Sequence, residues 1–311
     1  MQNTYQFSIV GTGAVGGFYG GLLQKEGFDV HFLLNRDFDH VRKQGLRIDS
    51  ILGDFHLPAV NAYKNPRDMP QSDVVIVALK TTANAALKNI IPALIKPGGI
   101  VLTLQNGLGS EEEISQYIDS KQILGGLCFL CSNKLGPGHI HHVDYGLITL
   151  GEYRSSGEPG GITPRLNTLA QQLESAGIPT KTVDDLALAR WKKLIWNIPF
   201  NGLSVVRGVL TDELIKNRET RKLCRTLMQE VATAAAAICR PIDPDFISKM
   251  LSDTEKMEPY APSMKLDFER GNPLEVEAIY GNPIRAAEAA GVNMIESRKL
   301  YHQLLQMNPT I

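Results

Sequence analysis

Short apolar runs alternate with helix-like patterns through the first half of the chain. Residues 7–10 and 29–34 predict strands, and residues 14–25 between them have the length and pattern of a helix. Two later runs, residues 74–79 and 100–104, are continuously apolar, as expected of strands that are buried on both faces of a parallel sheet. The alternation predicts a doubly wound α/β domain.

The pattern changes after about residue 180, where β-branched runs become scarce and helical periodicity dominates. Before that point, residues 138–143 and 147–150 predict two further strands, and the Asp-Tyr-Gly between them predicts a hairpin at one edge of the sheet. We therefore expect an α/β domain over residues 1–180, followed by an all-α domain over residues 181–311.

Composition and charge exclude several classes of protein. The 311 residues are 43% hydrophobic and 21% charged, which suits a globular protein with sizeable cores. With 32 basic and 33 acidic residues the net charge is -1, so the basic excess typical of nucleic-acid or membrane-surface binding is missing. No apolar run has the length of a membrane span, and the N-terminus lacks the pattern of a signal peptide. We expect neither nucleic acid nor membrane as a partner.

The chain has four cysteines, and two of them, Cys128 and Cys131, form a single CxxC inside an apolar run. We interpret this pair as core thiols, because a second CxxC of the kind that completes a zinc site is missing; a metal or redox pair is the alternative. A reducing cytoplasm is the simplest compartment for such a chain. No cluster with metal-ligand spacing stands out, so no metal is expected.

A glycine-rich turn follows the first predicted strand and opens the first helix. In a dinucleotide site, the first glycine permits a tight turn, the second lets the backbone approach a pyrophosphate, and the third allows close packing of helix on strand. The pattern therefore predicts a Rossmann-type doubly wound sheet that binds a dinucleotide, with a ligand-free glycine turn as the alternative. The residues expected to contact the cofactor are Gly11, Thr12, Gly13, Ala14, Val15 and Gly16.

Cofactor choice depends on the end of the second strand. Arg36 lies twenty residues beyond Gly16, where NAD-binding proteins usually carry a carboxylate. A guanidinium favours a 2′-phosphate, so the sequence predicts NADP. A solvated surface arginine is the alternative, and the neighbouring Asp37 counts against the assignment.

Two more polar residues follow predicted strands. Lys80 comes directly after residues 74–79, and Asn106 comes shortly after residues 100–104. Ligands of open α/β sheets bind beyond the carboxyl ends of the strands, so both side chains are expected near the nicotinamide half of the cofactor. Ordinary loop positions are the alternative for both.

The second half contains a polar stripe within an apolar segment. Lys193, Asn197 and Asn201 recur at i, i+4 and i+8, which places them on one face of a helix. Such a stripe is costly unless it meets water, a partner or a ligand, so either a binding site or a solvated helix face would explain it. Pro199 lies between the asparagines and is expected to kink the helix.

These motifs occur together in a known order: GTGAVG, LKTT at Lys80, LQNG at Asn106, WKKLIWN at Lys193, and SMKLDFERGNPLEVE near the end. The sequence resembles the ketopantoate reductase family over nearly its whole length. The resemblance implies NADPH-dependent reduction of 2-dehydropantoate to pantoate in the biosynthesis of pantothenate and coenzyme A.

The resemblance also implies roles for individual residues. Lys193 would be the proton donor and Glu275 a second catalytic residue, close to the cofactor and the lysine. Asn106 would contact both cofactor and substrate. Substrate contacts are implied for Asn197, Asn201 and Ser263.

Two departures from the family leave the substrate open. One is Pro199 within the motif, which alters the local geometry, and the other is a missing asparagine. The family can carry a further asparagine about ten residues beyond the second of the stripe, and residues 205–211 contain none. The alternatives are a reductase of the same architecture for another small 2-keto or 3-hydroxy acid, and a non-catalytic NADP-sensing module. The sequence leaves the oligomeric state open, with a homodimer as one option.

Overall fold

The computed structural model describes residues 4–309, and the chain divides into two compact units. The first unit consists of Met1–Gln105 and Ser110–Leu186, and the second of Asn106–Gly109 and Ala187–Ile311. The boundary that we predicted after residue 180 falls inside a strand, Thr180–Val183, which pairs with the sheet of the first unit. The division therefore comes later, between Leu186 and Ala187.

Within residues 4–309, ten strands form one mixed sheet in the first unit. They are β1 (Phe7–Val10), β2 (Val30–Leu33), β3 (Leu46–Ser50), β4 (Phe55–Leu57), β5 (Asn61–Tyr63), β6 (Ser72–Val77), β7 (Ile95–Thr103), β8 (Ile123–Gly136), β9 (His139–Glu152) and β10 (Thr180–Val183). Their order is β4-β3-β9-β8-β7-β6-β1-β2-β5, with β10 also paired to β9. All neighbouring pairs from β8 to β5 are parallel, as predicted for a doubly wound sheet.

Five α-helices accompany this sheet among the described residues. They are α1 (Ala14–Lys25), α2 (Phe38–Gln44), α3 (Leu87–Leu94), α4 (Ser110–Ile114) and α5 (Pro164–Ser175). Helix α1 packs closely because its buried face is built from glycines: a Cβ at Gly20 would lie 2.6 Å from the Phe32 ring, and one at Gly17 would lie 2.1 Å from Ile140. The sheet is buried on both faces, since all four residues from 74 to 77 are fully buried.

The hairpin that we predicted at residues 144–146 is wrong, because β9 runs through this segment without a break. The Asp-Tyr-Gly instead marks a β-bulge. Phe129 of β8 pairs with Leu147 and Leu130 pairs with Tyr145, so Gly146 is the extra residue of β9. Turns and bulges both use positive φ angles, which Tyr145 (62°) and Gly146 (140°) adopt here. Nor does β9 lie at an edge, since it pairs with β8 on one side and with β3 and β10 on the other.

The second unit is helical, with no strand in its described residues. Its helices are α6 (Leu186–Arg207), which begins one residue before the unit, α7 (Thr211–Lys216), α8 (Arg218–Ala237), α9 (Pro244–Lys256), α10 (Ser263–Glu269), α11 (Asn282–Ala289) and α12 (Ile295–Met307), with one turn of π-helix at Glu277–Gly281. Trp191, Phe200 and Tyr280 are the largest side chains of its core. From residue 4 to residue 309, no helix is both long and apolar enough to cross a membrane.

Candidate active site

The turn between β1 and α1 places its three glycines in three different surroundings. Gly11 has a φ of +98°, and a Cβ there would lie 2.6 Å from the backbone nitrogen of Leu79, so no larger residue fits beside the end of β6. A Cβ at Gly16 would lie 2.2 Å from the carbonyl oxygen of Gly11, so this glycine lets α1 pack against the turn. A Cβ at Gly13, the N-cap of α1, would meet nothing within 4 Å.

The open second glycine is what a phosphate site requires. No side chain caps α1, so the first backbone N–H groups of the helix, around Ala14 and Val15, have no partner within the helix. Such groups bind phosphate oxygens well, because they point out of a positive helix end. Thr12 attaches the turn to the end of β2: its Oγ1 donates a hydrogen bond to the carbonyl of Leu33 (3.2 Å). The turn therefore fits a dinucleotide pyrophosphate.

Arg36 and Asp37 lie side by side just beyond β2 but point to different tasks. Arg36 is exposed and makes no hydrogen bond or ion pair within residues 4–309. Asp37 is buried, its Oδ2 lies 2.5 Å from Lys134 Nζ, and the same atom accepts a hydrogen bond from the backbone of Gly138. In the sequence, Asp37 counted against an NADP site. Its contacts with Lys134 and Gly138 show instead that it attaches this loop to the β8–β9 hairpin.

Lys80 lies three residues beyond the end of β6, which stops at Val77 and not at Leu79 as predicted. Its exposed side chain precedes a 3-10 helix, Thr81–Ala86, and its carbonyl accepts a hydrogen bond from Ala83 (2.9 Å). Lys80 thus sits at the carboxyl end of the strand beside β1, near the glycine turn.

A chain of buried amides that sequence reasoning missed fixes this segment. Gln105 Nε2 donates to the carbonyl of Leu79 (2.9 Å) and to Asn84 Oδ1 (2.6 Å), and Asn84 Nδ2 donates to Glu113 Oε2 (2.8 Å). Gln105 could have been predicted as a site residue, because it directly precedes Asn106 at the end of a predicted strand. Nothing in the local sequence distinguishes Asn84, whose partners come from other elements.

Asn106 follows β7 as expected, but its segment Asn106–Gly109 belongs to the helical unit. The backbone N–H of Leu108 donates to the carbonyl of Ala278 (2.9 Å), and Asn282 Nδ2 donates to the carbonyl of Leu108 (2.7 Å). Gly107 has a φ of +84°, and a Cβ there would lie 2.2 Å from the Ala278 oxygen. Asn106 is therefore placed by helices that come much later in the chain.

Helix α6 carries the predicted polar stripe. Asn197 and Asn201 are only 5% and 2% exposed, and Lys193 is half-buried, so the alternative of a solvated helix face is wrong for the two asparagines. Asn201 Oδ1 accepts a hydrogen bond from the backbone of Met264 (3.2 Å), at the start of α10. The Asn197 side chain makes no hydrogen bond within residues 4–309. Helix α6 continues through Pro199 without interruption.

The remaining predicted residues lie on the segments that pack against α6. Ser263 is the first residue of α10, next to the Met264 backbone that binds Asn201. Glu275 is 5% exposed and comes just before the π-helical turn Glu277–Gly281, a feature that is frequent at functional sites. Sequence reasoning missed this turn, and it also missed Arg190, which is 5% exposed and lies one turn before Lys193.

Two family models match the chain: "Ketopantoate reductase PanE/ApbA" over residues 7–155 and "Ketopantoate reductase PanE/ApbA C terminal" over residues 185–308. A curated 2-dehydropantoate 2-reductase from Nostoc sp. is 53% identical over 303 residues, which cover 97% of this chain and 95% of that protein. The chain belongs to the ketopantoate reductase family. It is accordingly an oxidoreductase, and it uses a nicotinamide cofactor.

Solved structures agree with membership of the ketopantoate reductase family. A 2-dehydropantoate 2-reductase from Geobacter metallireducens matches with a TM-score of 0.93 and 41% identity, covering 97% of this chain and 99% of that one. A D-mandelate dehydrogenase solved with NADH and anilino(oxo)acetate matches with a TM-score of 0.88 over 97% of both chains. At 22% identity, the second match is a likeness of fold.

His142 and the two cysteines of the CxxC lie in structural surroundings. Among residues 4–309, no group of three or more His, Cys, Asp or Glu side chains could hold a metal ion. His142 is fully buried: its ring lies 4.2 Å from the Phe18 ring, and its Nδ1 is hydrogen-bonded to Ser50 Oγ (2.8 Å). In the CxxC on β8, Cys131 is buried and Cys128 half-buried, consistent with core thiols.

Proposed function

We propose that this chain reduces 2-dehydropantoate to pantoate with NADPH, a step that serves pantothenate and coenzyme A synthesis. The observation that carries the proposal is the Asn197 side chain, which is 5% exposed and has no hydrogen-bond partner within residues 4–309. The Asn197 amide is nearly enclosed yet makes no hydrogen bond to the described residues, so it is available to a polar ligand. Membership of the family supports a keto acid as that ligand.

For the cofactor, we assign the pyrophosphate to the turn formed by Gly11, Thr12, Gly13, Ala14, Val15 and Gly16. When bound, NADPH supplies the hydride that reduces the keto carbon. Arg36 is free to bind the 2′-phosphate, while the Asp37 carboxylate already has structural partners in Lys134 and the backbone of Gly138. Lys80 and Asn106 are assigned to the nicotinamide half. Asn106 and Glu275 complete the cofactor contacts.

Lys193 supplies the proton. As the keto carbon accepts the hydride, its oxygen gains negative charge, and the ammonium of Lys193 stabilises that charge and then gives a proton to the oxygen. The C–O double bond becomes a hydroxyl, and the neutral amine is protonated again from solvent. A lysine is charged at neutral pH in its ordinary state, so it is ready for this role.

The other polar residues hold the substrate without adding a net charge. Asn197 offers its whole amide, and Asn201 offers Nδ2, because its Oδ1 already accepts a hydrogen bond from Met264. Ser263 adds a hydroxyl at the start of α10. Glu275 orients the Lys193 amine or binds a substrate hydroxyl. Such convergent neutral groups fix orientation and specificity in a small-molecule site.

The test is turnover by the purified protein, followed by NADPH absorbance. We expect the highest kcat/KM with 2-dehydropantoate and NADPH in a panel of small 2-keto acids, with 3-hydroxy acids tested in the oxidative direction with NADP. A clear preference for another acid would favour a reductase of different specificity. NADPH binding without turnover of any acid would favour a sensing module.

We also propose that the protein works in the cytoplasm. Its exposed Cys239 is a free thiol, which suits a reducing compartment. Fractionation of cells that produce the tagged full-length chain tests this, and recovery with the membrane or an extracellular fraction would contradict it.

A further inference from the structure

Asn282, the first residue of α11, joins the loop that carries Asn106 to the helical unit. Its Nδ2 donates to the carbonyl of Leu108 (2.7 Å), and its Oδ1 accepts a hydrogen bond from Arg285 (2.5 Å), one turn along the same helix. The Arg285 contact fixes which end of the amide faces the loop. Gly109 has a φ of +99°, and a Cβ there would lie 2.5 Å from Asn282 Nδ2, so a glycine is needed where the amide enters.

The π-helical turn supplies the second attachment. In a regular α-helix the Ala278 carbonyl would accept the N–H of Asn282, but that N–H bonds the carbonyl of Glu277 instead. The next possible donor along the helix is residue 283, and Pro283 has no N–H. Ala278 thus presents an acceptor without a donor from its own helix, and the N–H of Leu108 satisfies it at 2.9 Å.

Both backbone groups of Leu108 are therefore bound by one short segment of the helical unit. Gly107 fits against the same segment, since any Cβ there would overlap the Ala278 oxygen. Glu275 lies three residues before Ala278, at the entrance of the same turn. The loop with Asn106 and the segment with Glu275 are held as one body.

We propose that Asn282 is a positioning residue for the reaction: through the Leu108 carbonyl, it holds Asn106 in register with the residues of the helical unit that bind and protonate the substrate. This inference rests on the proposed function for its kinetic part. It places the larger effect of Asn282 in substrate turnover and only a small one in the affinity for NADPH, because Asn106 is one assigned contact of the nicotinamide half, whereas the glycine turn and Arg36 belong to the sheet unit.

The decisive variant is Asn282→Asp. It keeps the shape of the side chain and the acceptor for Arg285, but it replaces the donor by a carboxylate oxygen that faces the Leu108 carbonyl. Asn293→Asp is the matched control, because Asn293 Oδ1 accepts from Arg298 as Asn282 Oδ1 does from Arg285, at an exposed site without a contact to the loop. We expect Asn282→Asp to lower kcat/KM for 2-dehydropantoate about 10- to 100-fold and to change the Kd for NADPH less than about twofold. The control should change neither quantity more than about twofold.

A double variant separates positioning from general destabilisation. If Asn282 acts through Asn106, then adding Asn282→Asp to Asn106→Ala should lower kcat/KM by less than about twofold further. Multiplicative losses in the double variant would overturn the proposal, as would an Asn282→Asp protein with full kcat/KM.

Hydrogen exchange at the Leu108 amide provides a readout that needs no substrate. We expect Asn282→Asp to speed this exchange about tenfold or more, with no change in the control. Unchanged protection would overturn the proposal even if activity were lost. If the wild-type protein did not reduce 2-dehydropantoate, the proposed function would fail, while the exchange experiment would still decide whether Asn282 holds the loop.

Discussion

Two glycine loops follow strands of the same sheet, yet they are fixed by different parts of the molecule. Gly11, after β1, is required because the backbone of Ala78 and Leu79 passes within 3 Å of the position of its Cβ. Gly107, after β7, is required because the Ala278 carbonyl lies there instead. The first neighbour is the segment directly after β6, the strand that pairs with β1, whereas 174 residues separate Leu108 from its partner Asn282. Local spacing therefore explains the first loop, and only the folded helical unit explains the second.

This contrast implies a division of labour between the two units. Changes in the sheet unit should mainly alter the binding of the cofactor, and changes in the helical unit should mainly alter the turnover of substrate, although Asn106 and Glu275 are also assigned to the cofactor.

Lys193→Ala should lower kcat by about 10²- to 10⁴-fold, because the variant loses both the positive charge and the proton donor at the developing alkoxide. The Kd for NADPH, measured by fluorescence titration, should stay within about twofold. Lys192→Ala is the control: this neighbouring amine lies over the Phe246 ring at 5.9 Å and should be dispensable for turnover. Retained turnover in Lys193→Ala would remove the residue from its proposed role.

Gly11→Ala and Gly13→Ala should separate folding from cofactor binding within one turn. Gly11→Ala introduces a Cβ at a φ of +98° against the backbone, and should lower the free energy of unfolding by about 2 to 4 kcal/mol. Gly13→Ala meets open space and should leave stability within about 1 kcal/mol, but weaken NADPH binding about tenfold by blocking the approach of the phosphate. Urea unfolding and NADPH titration measure the two effects. Equal stability losses would contradict the assignment.

Arg36→Asp should raise the Kd for NADPH about 10- to 100-fold through the loss of charge-assisted bonds to the 2′-phosphate, and change the Kd for NADH less than about threefold. Arg42→Asp on α2 removes the same charge from a guanidinium that lies over the Phe38 ring, and serves as the control. Equal weakening of both cofactors by Arg36→Asp would refute the preference for NADP.

The smallest effect is expected at Glu277, in the turn that receives the Asn106 loop. Partial burial alone would raise the pKa of Glu277, but hydrogen bonds from Tyr301 and Arg285 outweigh it and lower the pKa below 4.5. A carboxylate with a lowered pKa stabilises the fold above its unfolded value, and this contribution is lost as the pH falls through the folded value.

Glu277→Gln should therefore lower the free energy of unfolding at pH ~7 by less than about 1 kcal/mol, since the side chain is more than half exposed. The difference from wild type should shrink as the pH falls below ~4. Urea unfolding at the two pH values measures it, and a difference that is the same at both would contradict the role of the charge.

Much of the fold follows from local patterns, because its elements repeat a simple unit. The predicted residues 7–10 and 14–25 coincide with β1 and α1, and the helical character of the second half is confirmed. Prediction failed where the same residue type occurs in two kinds of structure. Gly146 suggested the turn of a hairpin, but it lies in a β-bulge. The strand at residues 180–183 was not predicted because none of its four residues is buried, and its pairing with β9 decides that it is a strand.

The site was predictable to the extent that a residue's task depends on its own backbone. Gly11, Gly13 and Gly16 are such residues, and each has the surroundings that its expected task requires. The membership of Asn106 in the helical unit, the π-helical turn and the burial of Arg190 depend on contacts between distant segments. The roles assigned to Lys193, Asn197, Asn201, Ser263 and Glu275 stay predictions that the variants above decide.

The Asn106–Gly109 segment also determines where the chain can be divided into fragments that keep their own contacts. A gene cut after residue 186 would deprive the C-terminal fragment of a piece of its own unit, so that the Ala278 carbonyl and Asn282 Nδ2 would lose their shared partner, Leu108. A chimaera that takes its helical unit from a distant relative should therefore take the loop Asn106–Gly109 and the π-helical turn Glu277–Gly281 from the same parent.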